Sequence, residues 1–490
     1  MEGHHHDHAA GGRDGRWLAL MVLCLGVLMI VLDSTIVNVA LPSIKTDLGF
    51  TDATLAWVVN GYMLTFGGFL LLGGRLGDLY GHRRVLLIGL LVFTLASAAC
   101  GLAQSQGVLV AARAIQGLGG AVVSAVALSL IMDLFTEPAD RAKAMGVYGF
   151  VCAGGGSIGV LLGGLLTGTL TWHWIFLVNL PIGAAVLALV LVLLPADRLQ
   201  GPRGSLDIAG AVAITAALML AVYAIVNGNE AGWTSGQTLG LLAGSAVLLA
   251  AFIAIESRVQ APLMPLGLFR RRSLAVASIV GMLWAAAMFA WFFLSALYLQ
   301  DVLKYEPLAV GLSFLPANLI MAAFSLGLSA RLVMRFGIRL PITVGLLLAA
   351  AGLMLFAWAP VEGRFALHVL PGMLLLGLGC GMALNPVLLA AMSDVTPKDS
   401  GLASGMVNTA FMMGGALGLA ILASLAASRT SALTAIGADR AVALVGGYHV
   451  AFLAGACFAA LAAILGALLL RPAAPNEEEA GQREAPHHAG

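Results

Sequence analysis

The stretch that decides the fold is Leu32-Asp33-Ser34-Thr35-Ile36-Val37-Asn38-Val39-Ala40-Leu41-Pro42, at the end of the first apolar run of the chain. That run begins at Trp17 and is long enough to cross the hydrocarbon core of a bilayer as a helix. A carboxylate at the depth of Asp33 costs about 2.5–3.5 kcal/mol on insertion scales, so it is expected to face a partner or a watery cavity. Asp33 is therefore a candidate proton carrier. The alternative is an acid that is only hydrogen-bonded inside a helix bundle.

The composition of the whole chain predicts a membrane protein. Hydrophobic residues make up 60% of the 490 residues and charged residues 10%, whereas soluble domains carry about 25% charged residues. Fourteen windows of about 20 apolar residues can be placed, two of them at 174–195 and 307–330. Because open sheets cannot span lipid, we expect an all-α polytopic protein with 14 transmembrane helices. The net charge of +1 indicates no nucleic-acid partner, and no metal site is expected.

These windows divide the chain into five parts. They are a His-containing tail at 1–16, a six-helix bundle at 17–195, a linker with two extra membrane helices at 196–272, a second six-helix bundle at 273–470, and an acidic, disordered tail at 471–490. With the N-terminus in the cytoplasm, nineteen of the 25 basic residues lie on the cytoplasmic side and five on the opposite side. Both termini are therefore expected in the cytoplasm. Only four bases are lysine, and Ala and Gly are abundant, which suggests a GC-rich bacterial genome. We therefore expect the protein in a bacterial cytoplasmic (inner) membrane.

Three polar side chains on different predicted helices are expected at one depth of the membrane. At 1.5 Å per residue, Asp33 lies about 12 Å below the outer end of the first helix, and Tyr62 on the second lies at about the same depth. Arg113 lies about 9 Å from the outer start of the fourth helix. If the helices are neighbours, a proton or a substrate that reaches this layer could change the balance between the acid and the base.

The loop between the second and third helices carries glycines and bases at a distinctive spacing. It resembles motif A of the major facilitator superfamily, with matching residues at Gly74, Asp78, Gly81 and Arg83, followed by Arg84. Leu32 to Pro42 resembles the first-helix motif of the fourteen-helix drug:proton antiporters, and Arg113 to Gly119 resembles motif B, whose arginine is implicated in proton coupling. The resemblance covers essentially the whole membrane region and implies a major facilitator fold.

The fifth helix carries glycines at the spacing of the antiporter signature, motif C. They are Gly146, Gly155, Gly159, Gly163 and Gly164. Small residues let helices approach closely, although Val160 replaces the proline of the family. Trp172 to Pro181 resembles the family's entry into helix six. Ala330 to Arg339 is a degenerate second copy of the motif A loop, with Met334 in the place of the acid.

Candidate residues of a substrate cavity combine apolar, aromatic and neutral polar side chains. Aromatic and methionine side chains on the ninth helix share one broad face and suit a permissive apolar pocket, although packing or lipid contact explains them equally well. Repeated halves commonly place the substrate at their interface near the midplane. The candidates are Asn38, Tyr62, Gln116, Trp284, Met288, Trp291, Phe292, Asn318 and Asn408.

The resemblance implies a proton-coupled antiporter that exports amphiphilic drugs or antibiotics by alternating access. Asp33 would carry the proton, Arg113 would modulate its charge, and Asp78 with its neighbouring arginines would lock one conformation at the cytoplasmic side. We expect a monomer in the lipid bilayer that is driven by the proton gradient and uses no cofactor. The alternative is a proton-coupled transporter of one specific metabolite. A receptor or an intramembrane enzyme is disfavoured, because the sequence has neither a soluble module nor a catalytic constellation.

Overall fold

The computed structural model describes residues 13–196, 207–395 and 400–470, and within these ranges the chain forms helices joined by short turns. Thirteen helices of the described chain are long and apolar enough to cross a membrane, and the shorter apolar helix Pro307–Ala323 supplies a fourteenth segment. The structure thus agrees with the predicted all-α membrane fold. The predicted tails at 1–16 and 471–490 lie wholly or largely outside the described residues.

The first half of the chain forms six predicted spans, and the sixth is broken near its start. Its helices are α1 (Arg13–Leu48), α2 (Asp52–Tyr80), α3 (His82–Gly101), α4 (Gln106–Leu134), α5 (Pro138–Thr169), α6 (Trp174–Leu177) and α7 (Asn179–Leu193). The two extra helices are α8 (Ile208–Ala231) and α9 (Gly236–Arg258). The sequence predicted one helix at 174–195. The structure instead divides that span at Val178.

The second half of the chain is less regular than the first. Its helices are α10 (Arg272–Leu297), α11 (Pro307–Ala323), α12 (Ser329–Phe336), α13 (Arg339–Phe356), α14 (Leu370–Met392), α15 (Ser400–Ala435) and α16 (Arg440–Leu469). Single π-helical turns extend α10 at Tyr298–Val302, join α11 to α12 at Phe324–Leu328 and precede α14 at Phe365–Val369. The window 307–330, predicted as one helix, is interrupted because Gly327 has φ of 134°, a conformation that glycine adopts without steric cost.

Local side chains explain where several helices begin. Thr51 and Thr54 form a reciprocal capping box at the start of α2, and the Ser105 hydroxyl accepts a hydrogen bond from the Val108 amide at the start of α4. Between α2 and α3 the chain turns at Gly81, whose φ is 100°. A side chain at that position would be strained, so this glycine permits the tight turn expected from motif A.

The glycines of α5 lie against two different neighbours. A methyl group added at Gly159 would meet the Leu32 carbonyl oxygen at 3.0 Å, and one at Gly163 would meet the Ile36 carbonyl at 2.7 Å. Gly164 faces the other half instead, where a methyl group would lie 2.8 Å from the Pro307 carbonyl oxygen. Small residues therefore hold α5 against α1 and against the start of α11.

The two halves meet at the end of the molecule that carries Lys45, Asp52 and Asp301, which we call the Lys45 face. The Lys45 ammonium forms ion pairs with Asp52 of α2 and, at 3.3 Å, with Asp301 after α10. Gln300 Nε2 donates a hydrogen bond of 2.7 Å to the Val39 carbonyl oxygen. Polar bonds therefore join the halves at this face.

The two extra helices lie beside the interface between the halves. Gly68 of α2 lies directly against the Thr215 side chain of α8. Asn229, also on α8, donates a hydrogen bond of 2.9 Å to the Ser424 carbonyl oxygen on α15. Helix α8 therefore contacts one helix of each half.

Candidate functional site

Asp33 and Arg113 form a buried ion pair inside the first half. The distance from Arg113 Nη1 to Asp33 Oδ2 is 2.6 Å, and the two side chains are 1% and 0% exposed respectively. Helices α1 and α4 supply one partner each. The structure thus brings together the acid and the base that the sequence placed at one depth.

Neutral amides complete the surroundings of the Asp33 carboxylate. Gln116 Nε2 and Asn179 Nδ2 donate to Asp33 Oδ1 at 2.9 and 3.0 Å. Gln116 Oε1 accepts from Arg113 Nη1 at 2.8 Å and from Cys100 Sγ at 3.5 Å. Three donors thus converge on the two oxygens of Asp33, so each carboxylate oxygen is hydrogen-bonded.

The Arg113 guanidinium is held by α2 as well as by Asp33. Its Nε donates to the Val58 carbonyl oxygen at 3.0 Å, and its central carbon lies 4.3 Å from the centre of the Tyr62 ring and 5.6 Å from that of Phe176. Such cation–π contacts are worth about 2 kcal/mol or more when desolvated. Tyr62 and Gln116, named from the sequence as cavity candidates, are therefore immediate neighbours of the ion pair.

Sequence reasoning missed two members of this network, Ser97 and Asn179. Asn179 Nδ2 also donates to Ser97 Oγ at 3.0 Å, and that hydroxyl donates to the Phe176 carbonyl oxygen at 2.7 Å. Both side chains are at most 1% exposed. The signal available beforehand was the asparagine in the Trp172 to Pro181 segment, which interrupts an otherwise apolar run.

The chemistry open to this site is a change of charge rather than bond breaking. Removing one partner of a buried ion pair leaves an uncompensated charge that costs about 3–5 kcal/mol. Protonation of Asp33 would therefore raise the free energy of the conformation in which Arg113 is buried. The ion pair is sealed among α1, α2, α3, α4 and α7, so protons need a change of conformation to reach it.

The candidates on α10 lie in an aromatic cluster of the second half. The ring centres of Trp291 and Phe292 are 4.4 Å apart, and Phe292 lies 5.4 Å from Phe314 of α11. One turn earlier, Met288 approaches Cys380 of α14, with 3.6 Å between their sulfur atoms. Phe292 and Met288 are partly exposed, whereas Trp291 is buried.

Several polar atoms near this aromatic cluster are buried and lack partners among the described residues. The indole nitrogen of Trp291 and the amide nitrogen of Asn318 donate no hydrogen bond there, while the indole nitrogen of Trp284 faces the Cys380 thiol. All three are hydrogen-bond donors. Asn38 and Asn408 also form no side-chain hydrogen bond with a described residue. Neither belongs to the hydrogen-bond network around Asp33 or to the aromatic cluster of the second half.

The motif A residues lie at the turn between α2 and α3. Gly74 lies near Ala125 of α4, and Arg83 donates a hydrogen bond of 2.9 Å from Nη2 to the Leu191 carbonyl oxygen at the end of α7. Arg84 lies in the first turn of α3. The side chain of Asp78 and the surroundings of Gly146 lie outside the described part of the structure.

Solved membrane transporters share this fold. A bacterial homologue of the human lysosomal transporter Spinster, in an inward-facing and unoccupied conformation, matches with a TM-score of 0.65 and 17% identity, over 94% of this chain and 98% of that one. The xylose transporter XylE from E. coli, in a partially occluded inward open conformation, matches with a TM-score of 0.60 and 16% identity, over 92% and 97%. At these identities the likeness concerns the fold alone.

Curated relatives are more similar in sequence. A puromycin resistance protein of Streptomyces alboniger is 41% identical over 86% of this chain and 84% of its own. A cephamycin export protein of Amycolatopsis lactamdurans is 39% identical over 84% and 85%, and a lincomycin resistance protein of Streptomyces lincolnensis is 37% identical over 96% of both chains. Residues 23–419 match the family described as Major Facilitator Superfamily.

Proposed function

The chain belongs to the Major Facilitator Superfamily and is a membrane transporter rather than an enzyme, and we propose that it exports amphiphilic drugs or antibiotics in exchange for protons. Export would proceed from the cytoplasm by alternating access of the two halves to a central cavity. We place the chain in a bacterial cytoplasmic membrane as a monomer with both termini in the cytoplasm, which makes the Lys45 face the outer one.

The observation that carries the coupling proposal is the sealed Asp33–Arg113 pair, 2.6 Å apart. In the membrane interior, an ionisable side chain is a functional-site hypothesis by default. A proton that reaches Asp33 cancels one charge of the pair and leaves Arg113 without its counterion, so the protonated protein must favour a different arrangement of the helices. A substrate can shift the same equilibrium only through different affinities for the two arrangements.

The energy available from protons is sufficient for export. One proton that enters down a membrane potential of 100 mV supplies about 2.3 kcal/mol, which corresponds to roughly a fiftyfold substrate gradient, and a pH gradient adds to that. No nucleotide or cofactor is required by this scheme. The sealed position of Asp33 suits antiport, because the acid must be exposed to one side at a time.

The proposed substrate class rests on the relatives and on the aromatic cluster. The relatives are named for puromycin, cephamycin and lincomycin, which differ in structure. Phe292 and Met288, both partly exposed, offer a flat and a polarizable apolar surface that suit different ligands. A wall of this kind suits amphiphilic compounds better than one closely defined metabolite.

Transport in everted membrane vesicles tests the proposal. The vesicles would be supplied with a panel of dyes and antibiotics, with and without a proton gradient, and compared with vesicles that lack the protein. We expect gradient-dependent uptake of several unrelated amphiphilic compounds, which a protonophore abolishes. Uptake of one compound only would favour a specific metabolite transporter, and uptake unaffected by the protonophore would contradict proton coupling.

A further inference from the structure

Asn179 occupies an unusual position between the proton candidate and a break in a helix. Its Nδ2 lies 3.0 Å from both Asp33 Oδ1 and Ser97 Oγ. The Ser97 hydroxyl donates in turn to the carbonyl oxygen of Phe176, in the four-residue helix α6. Asn179 is the first residue of α7, so both ends of this chain of hydrogen bonds border the break at Val178.

A protonated Asp33 would find no acceptor in the observed arrangement. The side-chain atoms that bond to its oxygens are Arg113 Nη1, Gln116 Nε2 and Asn179 Nδ2, and all of them donate. A carboxylic acid carries a hydroxyl donor, and leaving a buried donor without a partner is costly. One neighbour must therefore offer an oxygen when Asp33 takes up a proton.

Of the two amides, only Asn179 can turn at low cost. Gln116 Oε1 accepts from Arg113 and Cys100, so turning that amide would place its NH₂ group against the guanidinium. If Asn179 turns about its last side-chain bond, its oxygen faces both Asp33 and Ser97. The Ser97 hydroxyl can then rotate to donate to that oxygen, since a hydroxyl is both donor and acceptor.

We propose that Asn179 is a positioning residue whose amide turns when Asp33 takes up a proton, and that Ser97 then releases the Phe176 carbonyl at the α6–α7 break. This inference rests on the proposed function, in which Asp33 is the proton carrier. The amide and the hydroxyl each have two discrete arrangements, so protonation selects between two hydrogen-bond patterns. The carbonyl freed at the break is then available to rearrange the backbone there.

The break is also connected to the Lys45 face. Trp172, just before α6, donates from Nε1 to Asp47 Oδ2 at 2.8 Å, and Asp47 lies at the end of α1. A change in α6 would therefore reach the face where the halves are joined. The titratable groups that face Asp33 from the packed helices are Arg113 on α4, Tyr62 on α2 and Cys100 on α3, and none lies on α6 or α7.

Hydrogen–deuterium exchange of the purified protein tests this switch. The exchange rates of peptides that cover residues 172–182 would be measured at acidic and alkaline pH. At each pH the rate would be divided by that of the same peptide in Asp33→Asn, which removes the intrinsic pH dependence of amide exchange. We expect exchange at the break to rise about fivefold at acidic pH in the wild type, the effect of losing one net hydrogen bond. In Ser97→Ala the Phe176 carbonyl has already lost its donor, so this pH-dependent change should vanish.

Thr94→Val is the matched control for Ser97→Ala. Thr94 lies one turn earlier on α3, is also buried, and donates to the Leu90 carbonyl oxygen while facing Gly183 of α7. It should keep the wild-type change. A pH-dependent change that survives in Ser97→Ala, or a wild type without one, would overturn the switch. Neither result affects the proposed function, which instead fails if Asp33→Asn retains gradient-driven transport in vesicles.

Discussion

The interiors of the two halves differ in the charge that they bury, although both contain buried polar atoms without a described partner, those of Asn60 in the first half among them. In the first half, Asp33 and Arg113 are fully buried and bonded to each other, to two amides and to a backbone carbonyl. In the second half, the indole nitrogen of Trp291 and the amide nitrogen of Asn318 are buried beside an aromatic cluster without a described partner. The first interior is built around an ion pair, and the second places the partly exposed Phe292 and Met288 beside neutral polar groups. This difference suggests that proton and substrate are handled by different halves.

The loops between the second and third helices of each half also differ in charge, although their backbone turns are alike. Gly81 and Gly337 both have positive φ, 100° and 80°, so both copies keep the glycine turn. The acid at Asp78 has no counterpart, because Met334 stands in its place and is 80% exposed. The two loop copies thus share backbone geometry and basic residues, while the acid is present only in the first copy.

The largest expected effect is that of Asp33→Asn. This change keeps the shape of the side chain but removes the proton-carrying group, so export against a gradient should be abolished while downhill exchange of substrate continues. Uptake into everted vesicles and counterflow in proteoliposomes would measure the two activities. Asp439→Asn, which changes an exposed acid at the start of α16, is the control and should retain both.

Arg113→Leu should destabilise the protein strongly. The change leaves Asp33 buried without its counterion, which typically costs about 3–5 kcal/mol. Adding Asp33→Asn removes the unpaired charge, so the double variant should recover much of the lost stability. Thermal unfolding in detergent would measure all three variants. A double variant as unstable as the sum of the single ones would show that the two side chains do not interact.

Phe292→Ala should weaken substrate binding and leave coupling intact. The ring of Phe292 stacks on Phe314 and is partly exposed. Loss of this aromatic contact should cost about 1.4 kcal/mol of binding free energy, which corresponds to a tenfold higher Kd. Equilibrium binding of a transported dye would show it. Phe458→Ala, at a half-buried aromatic position of α16, should bind the dye as the wild type does.

The smallest effect is expected at the two loop copies. We propose that Asp78 stabilises one conformation, so Asp78→Asn should shift the equilibrium about fivefold, the lower end of the usual range for a coupling free energy. Met334→Asp should change it less, because no partner need be in place there. Spin labels at Tyr80 and Leu340, both exposed, would report the distance between the halves. Identical distance distributions for the wild type and Asp78→Asn would refute the role of Asp78.

The sequence predicted the fold and the ion pair because both depend on strong signals. Long apolar runs define the spans, and charges inside such runs are costly enough to identify Asp33 and Arg113 individually. Asn179 was not predicted because α7 is apolar on all sides, so its pattern does not show which face points inward. Ser97 was not predicted because it is a single small hydroxyl within the largely apolar helix α3. The breaks at Val178 and Gly327 were also missed, because hydrophobicity determines length and not local backbone geometry.

Proton release on substrate binding tests the central claim most directly. A transported compound would be added to the purified protein in a weakly buffered solution that contains a pH indicator. The account predicts release from the wild type, no release from Asp33→Asn, and full release from Phe292→Ala once the compound is saturating. Release from Asp33→Asn equal to that of the wild type would contradict the assignment of the proton to the ion pair of the first half.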